Sequence, residues 1–257
     1  DAAWARFATT APGVWHRRLH AHQQEALLRG ENFLVATGTG SGKTESFLYP
    51  MIDEILRQGD LARPGVRAIL VYPLNALAND QMTRIATLLF RDLGDPGITL
   101  GRYTGQVKSR ATRAEETTKL RASPSYIDAF GEDAEVPGNW LLARDEMRAT
   151  PPHVLVTNYA MLEHILLLPT NRPLLEDADL RWIVLDEIHT YAGAQAIEVA
   201  FLNGVEEPFL DNSLGWGVDG TEDLGAENLD RTFTKKSVYS NRRDHNRAKI
   251  NEISSYL

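Results

Sequence analysis

Residues 33–46 read FLVATGTGSGKTES: an apolar run, a turn holding three glycines, then a segment of helical period. A buried strand feeding a glycine-rich turn and a helix lets backbone N–H groups converge on an anion. Glycine accepts the turn's backbone angles, and the helix N-terminus carries partial positive charge. Gly38, Gly40 and Gly42 supply the turn, Lys43 a cation and Thr44 a hydroxyl. The spacing follows G-x-x-x-x-G-K-[ST] except at its first position, where Thr37 stands. A glycine turn that only caps a helix has no use for the Lys-Thr pair. The stretch is therefore read as a phosphate cradle made by Thr39, Gly40, Ser41, Gly42, Lys43, Thr44 and Glu45. Lys43 is expected on the β and γ phosphates of ATP and the Thr44 hydroxyl on Mg2+.

Outward from the cradle, short apolar runs alternate with longer helical segments. FLVA (33–36), AILVY (68–72), HVLV (153–156) and WIVL (182–185) suit strands buried on both faces. HAHQQEALLRG, KTESFLYPMIDEILRQ, LNALANDQMTRIATLLF, YAMLEHILL and GAQAIEVAFL suit helices. The alternation predicts an α/β fold with a mainly parallel sheet and helices on both faces, its ligands at the carboxyl ends of the strands. Two regions break the rhythm. Residues 106–150 are polar, basic early and acidic later, and are expected as a partly mobile surface insertion. From 203 onward an acidic stretch gives way to a basic one of poor periodicity, so the main domain is expected at 1–202, with 203–257 an unassigned tail or a separate segment of a longer chain.

A magnesium-bound phosphate cradle needs an acid at the end of a second buried strand. RWIVLDEIHTY supplies Asp186 for the metal and Glu187 as a general base for the attacking water. An acidic turn capping a helix would look similar in isolation, but not opposite a GSGKT.

Composition narrows the classes. The chain has 257 residues, 43% of them apolar, enough for a substantial core. No apolar run reaches the roughly 20 residues of a membrane span, and the first residues lack a basic region followed by an apolar one. A soluble, cytoplasmic protein is expected. There is no cysteine, hence neither a disulfide nor a thiolate metal site. The net charge of −8 does not exclude nucleic acid, since phosphate contacts depend on a local groove.

Several strings resemble superfamily 2 helicases, in order and spacing. TGTGSGKT (37–44) resembles their motif I, and Asp186-Glu187-Ile188-His189 their D-E-x-H box. His22-Gln23 is similar to the upstream glutamine motif, VYPLNALANDQ (71–81) to motif Ia, Tyr103-Thr104-Gly105 to motif Ib, and Thr157-Asn158-Tyr159 to motif Ic. TNYAMLEHILL and DEIHTYAGAQAIEVAFL resemble large bacterial helicases of the mitomycin-repair type, Lhr-like helicases, and helicases of phage-defence systems such as DISARM and Druantia.

The resemblance implies the first RecA-like motor domain of a DNA helicase or translocase moving 3′ to 5′, in antiphage defence or DNA repair. It implies that Gln23 reads the adenine edge and that His189 couples nucleotide state to a second RecA-like domain. Pro73, Asn75, Thr104, Gly105, Thr157 and Asn158 would lie along the nucleic-acid backbone. Motifs III, V and VI are not found, so the chain alone is expected to hydrolyse ATP weakly, and its partners are DNA, the second motor domain and subunits of a defence or repair complex. The basic residues between Arg102 and Arg121 extend the nucleic-acid groove or form a solvated face; Tyr103 and Tyr159 stack on bases or pack. His20 and His22 together could suggest a metal, but two lone imidazoles near a helix start more often face solvent or pack. An ATP-gated scaffold subunit and a duplex translocase that does not separate strands remain as rivals.

Overall fold

The computed structural model describes residues 18–29, 33–36, 41–187 and 190, with the backbone of 237–242. The strands are β1 (Phe33–Ala36), β2 (Ala68–Tyr72), β3 (Leu100–Tyr103), β4 (Trp140–Leu141), β5 (Val154–Asn158), β6 (Trp182–Asp186) and β7 (Ser237–Arg242). The helices are α1 (Ala21–Leu28), α2 (Lys43–Gln58), α3 (Asn75–Ala86), α4 (Arg113–Arg121), α5 (Pro124–Phe130), α6 (Arg144–Ala149), α7 (Tyr159–Leu167) and α8 (Pro173–Glu176). One seven-stranded sheet has the order β1-β7-β6-β2-β5-β3-β4. The strands from β6 to β4 pair parallel, while β7 is antiparallel to both β6 and β1. Two reversals leave β1 parallel to β6.

The period-2 pattern of the strands builds two cores. Ala68, Leu70 and Tyr72 join Val154, Val156, Trp182 and Val184 against Phe47, Met51, Ile52 and Ile55 of α2 and Ala78, Met82 and Ile85 of α3. The alternate residues Ile69, Val71, Leu155, Ile183 and Leu185 pack against Leu162 and Ile165 of α7 and Leu174 of α8. Helices on both faces of a mainly parallel sheet are what the alternation predicts.

Two segments differ from expectation. Residues 106–150 carry α4, α5, β4 and α6 and extend the sheet through β4. Tyr126 and Trp140 are buried there, 6.0 Å apart, and Arg113 donates to the carbonyls of Trp140 (3.0 Å) and Pro137 (3.1 Å). A few aromatic anchors in a polar stretch hold this segment, so its average composition conceals its fold. In the tail, 203–236 lie outside the described residues, but 237–242 form β7 between β1 and β6. Its sequence, SVYSNR, lacks the apolar pattern of the other strands.

His153 closes the entry to the sheet. Its Nδ1 accepts from the Thr99 N–H (3.0 Å), so Nε2 carries the proton and donates to the Arg63 carbonyl (3.0 Å). Burial, with the Arg67 charge, holds its pKa below the ordinary 6.5, against the Arg63 bond and Asp60. A depressed value means the folded state resists a proton that the unfolded chain accepts. This contribution is complete above about pH 6.5 and is lost as pH falls through the lowered folded value. Urea unfolding at about pH 7.5 and about pH 5.5 should show the loss, and His153→Gln should be less stable at the higher pH but lose less on acidification.

Candidate nucleotide site and nucleic-acid face

At the carboxyl end of β1 the chain enters α2 through Gly42, which caps the helix at φ 76°. Gln23 of α1 braces this turn: its Nε2 donates to the Gly42 carbonyl (2.8 Å), while its Oε1 accepts from the His20 N–H (2.9 Å). A Cβ at residue 42 would sit 2.5 Å from Gln23 Nε2, so any other residue would have to displace that amide as well as adopt a left-handed angle. Gln23 thus acts here as a strut between α1 and the cradle. Lys43 and Thr44 open the helix and are buried, Ser41 and Gly42 half-buried. Thr39 and Gly40 lie outside the described residues. His20 and His22 stack on one another at 5.6 Å.

Asp186 ends β6 and Glu187 follows it, both buried. Glu187 takes a left-handed backbone angle, φ 52°. Its N–H donates to Asp186 Oδ1 (2.8 Å), and its carbonyl accepts from the N–H and the hydroxyl of Thr190, both at 2.8 Å. Such an angle at a residue with a Cβ is strained and persists where neighbours hold it. His189 lies outside the described residues.

The cradle and the acid pair therefore share one edge of the sheet. β1 and β6 run the same way with β7 between them, which puts their ends roughly 10 Å apart. Arg84 of α3 crosses this space: it forms an ion pair with Glu45 and lies 3.4 Å from the Thr44 hydroxyl. Tyr72 ends β2 beside β6. Burial, reinforced by Asp186 and opposed by Arg84, raises its phenol well above the usual range, so it stays a protonated donor. Far from the edge, Trp182 Nε1 donates to Glu54 Oε2 (3.1 Å) and pins α2 to the start of β6. A glycine-capped helix N-terminus with a lysine and a hydroxyl, facing two carboxylates, fits a magnesium-bound nucleoside triphosphate.

The nucleic-acid candidates follow the ends of the next strands, β2, β5 and β3. Asn158 caps α7, accepting from the Met161 N–H (2.8 Å), and donates from Nδ2 to Asn75 Oδ1 (2.7 Å). Pro73, Asn75 and Asn158 are half-buried; Gly105 is exposed, as is Leu74 at 62%. Thr157 and Thr104 sit deeper than these neighbours. Both side chains are fully buried, and the Thr157 hydroxyl donates to the Tyr103 carbonyl (2.7 Å). In a strand, Thr157 belongs to the face opposite Asn158, which turns it into the α7 core. Tyr103 packs too: its hydroxyl donates to Asn171 (2.6 Å) and Arg144 covers its ring at 4.9 Å while donating to the Thr104 carbonyl (2.7 Å).

Of the basic cluster, Arg102 binds Asn79, Arg113 pairs with Glu146 and Lys119 with Glu116. Lys108, Arg110 and Arg121 are exposed. A cavity of about 270 Å³ opens among Asn79, Arg102, Gln106, Glu116 and Lys119. Sequence reasoning missed Tyr72, Arg84, Arg144 and the Trp182–Glu54 pair. All four act across elements, and no local spacing announces them.

Residues 19–202 match the DEAD/DEAH box helicase family. The chain belongs to that family. Among curated relatives it is similar to the Druantia protein DruE of Escherichia coli (strain UMEA 4076-1), with 32% identity over 73% of this chain and 15% of DruE. It is also similar to the ATP-dependent helicase Lhr-Core of Methanothermobacter thermautotrophicus, with 29% identity over 69% of this chain and 19% of the relative. Among solved structures, the DUF1998 helicase MrfA bound to DNA superposes with a TM-score of 0.50 and 25% identity, covering 76% of this chain and 23% of MrfA. The chain thus spans about a fifth of the length of such helicases.

In this helicase domain Gly42 and Gly59 form a natural pair of controls. Both have left-handed angles, 76° and 73°, but nothing lies within 4 Å of a Cβ at Gly59. Gly59→Ala should cost about 1 kcal/mol of unfolding free energy, the left-handed penalty alone. Gly42→Ala should cost more, because the Gln23 amide must withdraw, and the excess should shrink in a Gln23→Ala background. Urea unfolding of the variants measures this.

Proposed function

We propose that the chain is the first RecA-like motor domain of an ATP-dependent DNA helicase or translocase. The observation that carries this reading is the common edge of β1 and β6, which sets Lys43 and Thr44 across from Asp186 and Glu187. Lys43 would bind the β and γ phosphates, while Thr44 and Asp186 would hold Mg2+. Bound there, Mg2+ supplies charge neutralisation on the phosphates. Glu187 takes the proton of the attacking water, and its buried carboxylate and fixed backbone keep it in place. His189 would couple this site to a second RecA-like domain, as the family resemblance implies. That domain would contribute the arginine groups that complete the reaction, so the chain alone turns over slowly.

Single-strand translocases hold phosphates more than bases, which suits backbone and small polar groups. Pro73, Asn75, Gly105 and Asn158 offer those at the ends of adjacent strands. DNA is favoured over RNA by the likeness to MrfA, whose solved structure carries DNA, and a defence role by the likeness to DruE. Movement from 3′ to 5′ and a repair role rest on the family resemblance. Among the described residues no helix is long and apolar enough to cross a membrane.

Glu187→Gln should keep Mg-dependent nucleotide binding while turnover falls by about 10² to 10⁴. Lys43→Ala should lose the binding itself. Stimulation of turnover by single-stranded DNA, but not by RNA, identifies the track, and Asn75→Ala should weaken that stimulation without changing nucleotide affinity. A Glu187→Gln protein that hydrolyses ATP normally overturns the assignment of the base.

A further inference from the structure

Tyr72 ends β2 between two strands that both carry functional residues. Val71 is paired with Leu185 on β6, so Tyr72 and Asp186, the next residues, end their strands side by side. On its other flank Tyr72 is paired with Asn158 of β5. Strand alternation puts Tyr72 on the face of Leu70, Trp182 and Val184, the face covered by α2. Asp186 follows Trp182 and Val184 at the same period, so the phenol and the carboxylate rise from one face. Only 1% of Tyr72 is exposed, yet its hydroxyl has no hydrogen-bond partner among the described residues. A buried phenol ordinarily finds a partner, and one left without it weakens the fold.

The groups around it narrow the choice of partner. Asp186 and Arg84 are the charges that act on Tyr72. Arg84 offers only donors and is turned to Glu45 and Thr44. The phenol, protonated, needs an acceptor. Asp186 uses Oδ1 for the Glu187 N–H, and a carboxylate retains further acceptor sites.

We propose that Tyr72 is a positioning residue of the nucleotide site: when the magnesium–nucleotide complex binds, its hydroxyl donates to the Asp186 carboxylate and fixes the orientation in which that group serves the metal. This rests on the nucleotide reading above and adds a residue to it. The hydroxyl then has opposite effects in two states. Unpaired, it burdens the empty protein; paired, it favours the liganded one, and a group that gains interactions only in the bound state contributes to affinity.

Tyr72→Phe removes that one oxygen and keeps the ring. With the full chain, the unliganded melting temperature should stay the same or rise. The Mg2+ concentration for half-maximal binding of a fluorescent ATP analogue should increase roughly tenfold. Binding of the analogue in EDTA should not change. In an Asp186→Asn background the same substitution should leave the Mg2+ dependence as it is, because the two residues act as one. A lower unliganded melting temperature would mean the hydroxyl already serves the fold, and an unaltered Mg2+ dependence would mean it never meets Asp186; either overturns the proposal. Should the wild-type chain itself show no Mg-dependent nucleotide binding, the nucleotide reading fails first, an outcome distinct from failure of Tyr72 alone.

Discussion

The parallel register of β2 with β5 and β6 is the constraint on which the site depends. Ala68 faces Val154 on one side and Trp182 on the other, and the pairing runs in step to the strand ends. Because side chains alternate, that row decides which residues reach the α2 face: Asp186, Tyr72 and Asn158, adjacent across three strands. A slip of one residue would send the whole set to the α7 side and bring Leu185, Val71 and Thr157 to the α2 face instead. Burial on both faces resists such a slip, since every strand residue from Ala68 to Tyr72 and from Trp182 to Asp186 is enclosed. Apolar packing therefore sets the positions of the polar groups.

Polar contacts then trim this framework. The Gln23 bond to Gly42, the Trp182 bond to Glu54 and the Asn158 bond to Asn75 each join two elements that the core alone would leave free to slide by a fraction of an ångström. Each contributes on the order of 1 kcal/mol, little beside the core. Their value is directional. The left-handed angle at Glu187 belongs to the same class: it costs about 1–2 kcal/mol for a residue with a Cβ, and the bonds from Thr190 and to Asp186 hold it in place.

The layout of the fold was legible because it repeats locally. Strands such as AILVY and WIVL are short apolar runs that nothing else explains, and GSGKT and DEIH carry their chemistry in adjacent residues. What escaped was whatever is made by distance. Arg84 lies 40 residues from the threonine it approaches, and Trp182 lies 128 from Glu54. The burial of the Thr157 hydroxyl escaped for a related reason. A threonine at a strand end offers its hydroxyl to solvent or to the core according to the parity of its position, and only the pairing of β5 with β3, which sets Thr157 against Tyr103, reveals which. The polar β7 shows the same limit at larger scale, since it is held by β1 and β6 rather than by a pattern of its own, while the segment of α4 to α6 hangs on a few anchors that its polar composition hides.

Helix α3 joins the two halves of the surface. At its first turn Asn75 meets Asn158, one turn on Asn79 meets Arg102 and Gln106, and near its last turn Arg84 meets Glu45 and Thr44. A helix is stiff over such a length: about 14 Å separates residues 75 and 84 at 1.5 Å per residue. Any rearrangement at Thr44 that displaces Arg84 must therefore be absorbed by the arginine side chain or carried along α3 to the asparagines. Arginine has several rotatable bonds, but here its fork is held by Glu45 as well as by Thr44, which narrows the first route. One helix thus links the first turn of α2 to the start of α7, held to Asn158 at its first turn and to Glu45 and Thr44 near its last.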